Sequence, residues 1–239
     1  MWRFAFLLFA FLSASGAAGA PFFGHKWGDP RWGTGATLTY SFVEPGVHVG
    51  EANYGNAPGP NVGYGDFLAG DYRAAVAQAF DIWAGVADLR FVEVGDSGTP
   101  FNTEGGGDIR FWGARADPLY LAWAYFPHES AAGGDVFVNS VGDFAIGDDH
   151  QGYRFDWIVL HEIGHTLGLM HDGDPTSAMH DTYPVGAGRL NAADIASIRA
   201  VYGPAKVPAP ASVALFALGL ALLGAARRRA QSCSNVATR

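Results

Sequence analysis

The chain has 239 residues, 49% of them apolar and 16% charged, with 33 Gly, 13 Pro and one Cys. That is one ordinary domain with some excess; it excludes a disordered chain, a disulfide framework and any Cys-based zinc site. Residues 21–205 hold nine basic side chains and all 23 acidic ones, a net of −14 that repels phosphate backbones and argues against nucleic-acid binding.

In chain order, residues 1–20 (MWRFAFLLFAFLSASGAAGA) join one positive charge, Arg3, to an apolar run over 4–12 and small residues ending in Ala18-Gly19-Ala20. This is the pattern of a secretory signal peptide, so export is expected. The run is about half the ~20 residues of a membrane span, which disfavours an N-terminal anchor. Pro21 is a poor residue just after a cut and leaves the cleavage point open.

The body, residues 21–205, shows no internal repeat. Residues 37–43, 89–94, 108–112, 120–126 and 135–139 alternate or run apolar and read as strands. Residues 72–83 place apolar side chains at helical spacing, with Asp71 as a cap. A second helix is expected to carry WIVLHEIGHTLG (157–168), capped by Asp156, and a third covers 191–202, stopped by Gly203-Pro204. Strands first and two helices last predict an α+β fold.

Beyond residue 205, the 20 uncharged residues 207–226 precede Arg227-Arg228-Arg229. At about 1.5 Å per residue they just cross a ~30 Å hydrocarbon core, with the arginines inside and the domain outside. The alternative, a buried core helix, fits poorly with three consecutive Arg. The segment 206–229 resembles the PEP-CTERM sorting tails of bacterial exported proteins. That implies a membrane association and a sorting enzyme as partner, although Ala209 stands where such tails carry Glu and ten residues, 230–239, follow the arginines.

The chemistry is concentrated in residues 161–171, HEIGHTLGLMH. His161 and His165, four apart on a helix, share one face and can hold one metal ion. Glu162, offset by one residue, reaches the edge of that site and can take a proton from water there. Gly168 can adopt the left-handed conformation that ends the helix and returns His171 to the metal. Three imidazoles with an open fourth position make a catalytic zinc site, so one Zn²⁺ is the expected cofactor. Five fixed positions match by chance with a frequency on the order of 10⁻⁵ to 10⁻⁴ in a chain of this length.

HExxHxxGxxH followed by a methionine, here Met179 eight residues after His171, is the metzincin signature, and the short spacing resembles the matrixins. Phe80-Asp81-Ile82-Trp83 resembles the matrixin first helix, residues 107–111 its third strand and residues 190–203 its closing helix. The resemblance implies a twisted, mostly parallel five-stranded sheet with an active-site helix, a second packed helix and a short C-terminal helical subdomain. It further implies Met179 as an apolar floor under the zinc, and Leu121-Ala122 on the edge strand where substrate pairs main chain to main chain. Trp123 and Phe137 stand where vertebrate matrixins hold a second zinc with His, so that site is expected to be absent. The family's inhibitory Cys has no counterpart before Cys233, and the stretch from residue 21 to Trp27 is too short for a prodomain.

Gly133-Gly134-Asp135, Asn139, Asp143, Asp148 and Asp149 form an oxygen-rich region suited to a structural Ca²⁺, with an acidic solvated loop as the alternative. His25, His48, His128 and His150 read as surface histidines. The expected function is that of an exported zinc endopeptidase acting on a protein or peptide substrate. The rival is a membrane-tethered matrix or adhesion protein whose metzincin domain binds peptides without cutting them. A third reading keeps the chemistry and directs it at cell-wall cross-link peptides.

Overall fold

The computed structural model describes residues 21–50, 59–128, 130–147, 152–183 and 188–206. The signal-like segment 1–20, the tail from residue 207 onward, and Asp148, Asp149 and His150 lie outside the described residues. The chain divides into two units, Met1–Ala205 and Lys206–Arg239. Among the described residues no helix is long and apolar enough to cross a membrane.

The elements run β1 (Ala36–Phe42), α1 (Tyr64–Phe67), α2 (Tyr72–Ala84), β2 (Leu89–Glu93), β3 (Ile109–Ala114), β4 (Ala122–Ala124), β5 (Val136–Asn139), β6 (Phe144–Ala145), β7 (Tyr153–Arg154), α3 (Phe155–Thr166) and α4 (Ala192–Tyr202). Five strands form one sheet in the order β2-β1-β3-β5-β4. Every pairing is parallel except β4 against β5, so β4 is an antiparallel edge. The architecture is α+β with a mostly parallel sheet, as the sequence predicts.

Alternation along the strands divides the interior in two. Ile109, Phe111, Val136 and Val138 face α2 and α3 in the main core, with Trp83, Ile158, Ile163 and Met179. Trp112, Ala114, Trp123 and Phe137 face the other way into a smaller cluster with Val43 and Val49. β3 and β5 are therefore buried on both faces, which is why their apolar runs hardly alternate in polarity.

Helix ends follow the side chains available. Asp71 accepts from the Ala74 N–H at the start of α2 (3.0 Å). Asn191 caps α4 in a reciprocal box with Asp194. Asp156 does not cap α3 as expected. It lies inside the first turn, where both its oxygens are taken by the Arg154 guanidinium, and Arg154 stands at the cap position, where its side chain caps no helix N–H. The stretch 120–126 is also shorter as a regular strand than expected. Its pairing with β5 ends at Tyr125, which bonds Asp135 and Gly134 before Pro127 removes a donor.

Candidate metal centre and its open edge

α3 packs against α2 across the main core, and Trp83 of α2 donates its indole N–H to the Leu160 carbonyl (3.0 Å), one residue before the first histidine. The end of α3 is held by two other side chains. Trp27 donates to the Thr166 carbonyl (2.6 Å) and Tyr202 donates to Leu167 (3.2 Å), filling acceptors a helix end leaves open. The chain then turns at Gly168, φ 96°, where a Cβ would sit 2.8 Å from the His25 carbonyl. No other residue fits that turn without strain.

The turn brings three rings together. Ring centroids of His161, His165 and His171 lie 4.6, 5.3 and 4.8 Å apart, and one ligand nitrogen from each falls within 4.8 Å of the others. His161 Nδ1 bonds the Ala178 carbonyl (2.6 Å) and His165 Nδ1 bonds the Leu169 carbonyl (2.7 Å). A carbonyl only accepts, so both protons sit on Nδ1 and both lone pairs on Nε2. Those two Nε2 atoms converge to 3.0 Å. Converging lone pairs repel unless a cation lies between them, so the donor set fits a zinc ion. Burial pushes His161 down to about 3, helped by nearby His171, against the pull of the Ala178 carbonyl. Burial also carries His171 down to about 4 and His165 well below the ordinary range. Neutral imidazole is the form that binds metal.

Glu162 is fully buried, and burial drives its carboxyl well above the usual carboxylate range. Neither of its oxygens has a hydrogen-bond partner among the described residues. A buried carboxyl normally finds partners, so one held bare beside three converging imidazoles is a group kept for something not in the fold.

Met179 lies wholly buried against the same helix. A Cβ on Gly164 would collide with its Sδ and come within 3.0 Å of its Cε and of the Trp83 ring. Gly164 is thus the notch that lets Met179 sit between the two histidine turns. Asp194 fixes this turn from α4, accepting from the Ser177 hydroxyl (2.5 Å), the Ala178 N–H (2.9 Å) and the Asn191 N–H (2.8 Å). Sequence reasoning passed over Asp194, although the Asn191-x-x-Asp194 box marks it; it could not find the Ala178 and Leu169 carbonyls, which carry no side-chain signal.

On the β4 edge, the expected substrate residues Leu121 and Ala122 differ. The Leu121 carbonyl accepts from the Asn139 N–H (2.9 Å) and is therefore committed inside the sheet. Tyr125 likewise spends both its main-chain groups inward, on the Asp135 carbonyl and the Gly134 N–H just before β5. Alternation then turns the N–H and C=O of Ala122 and Ala124 outward, to the open edge. Trp123 and Phe137 stack on one another, centroids 5.0 Å apart. The proposed calcium oxygens are partly in use: Asp135 Oδ2 accepts from Trp112 Nε1 (3.1 Å), and Asn139 Oδ1 accepts from the Ala116 N–H (3.0 Å) and the Val141 N–H (3.3 Å). His25 and His48 are exposed, and His128 Nδ1 accepts from the Ser130 N–H (3.1 Å).

Comparison with known proteins matches the Matrixin family profile to residues 64–203, more than half of the chain. Human matrix metalloproteinase-16 is 32% identical over 166 residues, covering 58% of this chain and 25% of its own length. Human matrix metalloproteinase-20 is 32% identical over 142 residues, 56% of this chain and 28% of its own. Mouse interstitial collagenase B is 29% identical over 187 residues, 75% and 35% respectively. The chain spans about a quarter to a third of the length of these relatives.

Proposed function

The chain belongs to the matrixin family, and from that premise we propose that it is an exported zinc endopeptidase in which Glu162 is the general base. The observation that carries this reading is the bare, buried Glu162 carboxyl beside His161, His165 and His171, next to an edge strand with outward main-chain groups. A zinc ion bound there supplies Lewis acidity, which polarises a carbonyl and lowers the pKa of water towards about 7.

The residues of the chain do the rest. Ala178 and Leu169 hold the two helical imidazoles in the tautomer that presents Nε2. Ala122 and Ala124 receive an extended peptide as an added strand and bring one of its amides over the site. Glu162 takes a proton from the attacking water and delivers it to the leaving amine nitrogen. Its lack of partners leaves both oxygens available, and burial makes the carboxyl a stronger base than an ordinary Glu.

Export rests on residues 1–20, and retention at a bacterial membrane with processing of the tail rests on residues 206–229; both are sequence arguments. A structural calcium ion would draw on Asp143, Asp148 and Asp149 rather than on Asp135 or Asn139. Incubating the purified chain with casein, with and without a zinc chelator, tests the activity. Cleavage abolished by the chelator and restored by zinc is expected. Peptide bound but recovered intact from a zinc-loaded chain would favour the binding protein instead.

A further inference from the structure

The described body begins and ends on one face. Phe22 bridges Leu169 in antiparallel fashion, and its ring lies 5.5 Å from that of Trp32. Trp32 precedes Gly33, whose N–H donates to the Val201 carbonyl (3.0 Å) in the last turn of α4. A Cβ on Gly203 would sit 2.6 Å from the Gly33 carbonyl, so these two stretches of chain touch main chain to main chain. Two residues after Gly203, Ala205 donates to the Val86 carbonyl (3.2 Å), and the body ends there. Both apolar segments of the sequence, residues 1–20 and 207–226, therefore join the body within a few residues of the Phe22–Trp32 pair.

That pair lies open to solvent. Trp32 is 50% exposed and Phe22 38%. Exposed apolar side chains in contact mark a place where something binds. Position and charge say what. Aromatic rings of this kind settle at the boundary between lipid headgroups and acyl chains, and basic side chains around them are drawn to anionic lipid. The two segments that meet here, 21–34 and 195–206, hold four basic side chains, Lys26, Arg31, Arg199 and Lys206, against Asp29 and the adjoining Asp88. That local balance is positive in a body that is otherwise strongly acidic.

We propose that Phe22 and Trp32 seat the folded body on an anionic lipid surface, beside the point where the apolar tail leaves it. The inference rests on the membrane reading of residues 206–229 and adds to it a contact made by the folded body itself. Its consequence for the metal centre follows from the N-terminal arm. The Pro21 carbonyl accepts from the Met170 N–H (2.8 Å) and Phe23 donates to the Gly168 carbonyl (3.0 Å), both on the turn between His165 and His171. Lipid contact through this arm holds the metal centre close to the membrane, where proteins bound to that surface are the substrates within reach.

The test mixes the full chain with vesicles of phosphatidylcholine and phosphatidylglycerol in equal parts, brominated on the acyl chains near the headgroup. Flotation reports whether the chain binds. The difference in tryptophan quenching between the parent and Trp32→Ala reports whether Trp32 touches lipid, since Trp83, Trp112 and Trp123 are fully buried in both. Both proteins should float, and the parent should be quenched more than the variant. That difference should shrink on vesicles of phosphatidylcholine alone; an equal difference on both overturns the anionic preference. Flotation with the same quenching in parent and variant overturns the proposal and leaves the tail reading standing. If that chain also sediments as a dimer, the pair belongs to a contact between two copies. Flotation lost in Trp32→Ala upholds the pair as the lipid contact and removes the tail from that role, and a parent chain that does not float overturns both.

Discussion

At Gly164 a single missing side chain sets the geometry of the metal centre. The position lies between His161 and His165, and the space a Cβ would need is filled by the Met179 thioether and the edge of Trp83. Both neighbours are fully buried and have nowhere to retreat. Gly164→Ala should therefore push the Met179 turn away from α3, and with it the Ala178 carbonyl that orients His161. Overpacking of this kind costs about 1–3 kcal/mol. Denaturant unfolding should show that loss together with weaker zinc affinity in a competition titration. Unchanged stability and affinity would mean that the notch has no structural role. Here the residue scale divides sharply in legibility. His161, Glu162, His165, Gly168 and His171 are readable because chemistry at fixed spacing leaves few alternatives. The reason for Gly164 is not, because it depends on a contact with Met179, fifteen residues later.

Among the elements, β3 carries the clearest case of a charge inside the fold. The side chains of Arg110 (2% exposed) and Asp96 (0%) form a two-point ion pair, Nε–Oδ2 at 2.9 Å and Nη2–Oδ1 at 2.8 Å. The pair, with the Thr99 carbonyl on Arg110 (2.8 Å), ties the long β2–β3 connection to the sheet. Burial by itself would raise the Asp96 carboxyl; the Arg110 guanidinium, the Gly98 N–H and the Ser41 hydroxyl outweigh it and hold the group below its ordinary value. A carboxyl with a folded pKa below its unfolded one stabilises the fold above the unfolded pKa and loses that contribution as pH falls through the folded pKa. Asp96→Asn should cost about 3–5 kcal/mol at pH 7, the usual result of leaving one buried charge unpaired. The gap to the parent chain should narrow as the pH is lowered into the acidic range, where Asp96 is itself neutral. A gap that stays constant with pH would show that the pair is not the source.

The elements themselves were largely legible. The 72–83 helix and its Asp71 cap follow from spacing and a short polar side chain, and the parallel strands from apolar runs of β-branched and aromatic residues. The losses have physical causes. α1 is a single turn without a side-chain cap, and β6 and β7 are two residues each, too short for any periodicity. Asp156 looks like a cap because it precedes an apolar run, but Arg154, two residues earlier, takes both its oxygens.

For the molecule as a whole, the metal centre acts as a clasp. Its ligands come from α3 and from the turn after it, its supporting carbonyl from the Met179 turn, and that turn is anchored to α4 through Asp194. An ion that binds only the folded chain stabilises it by mass action, about 2.7 kcal/mol at a free concentration one hundred times Kd. Stripping zinc should lower Tm by several degrees and re-adding it should restore the loss, while His171→Ala should melt alike with or without zinc. A parent chain with equal Tm in both states would mean that the clasp is not closed by metal. The same assembly explains why the N-terminal arm matters: its hydrogen bonds to residues 168–170 place it on the ligand turn rather than on a remote surface.

The central claim is that a zinc ion on His161, His165 and His171 and the carboxylate of Glu162 together hydrolyse peptide bonds. It is tested most directly by kcat/KM of Glu162→Gln beside the parent chain, on one fluorogenic peptide, with bound zinc measured on the same samples. Both proteins should hold one zinc, and the variant should be slower by about 10²–10⁴-fold, the range for losing a general base. Equal rates at equal zinc content would contradict the role of Glu162, and a parent chain that binds no zinc would contradict the site itself.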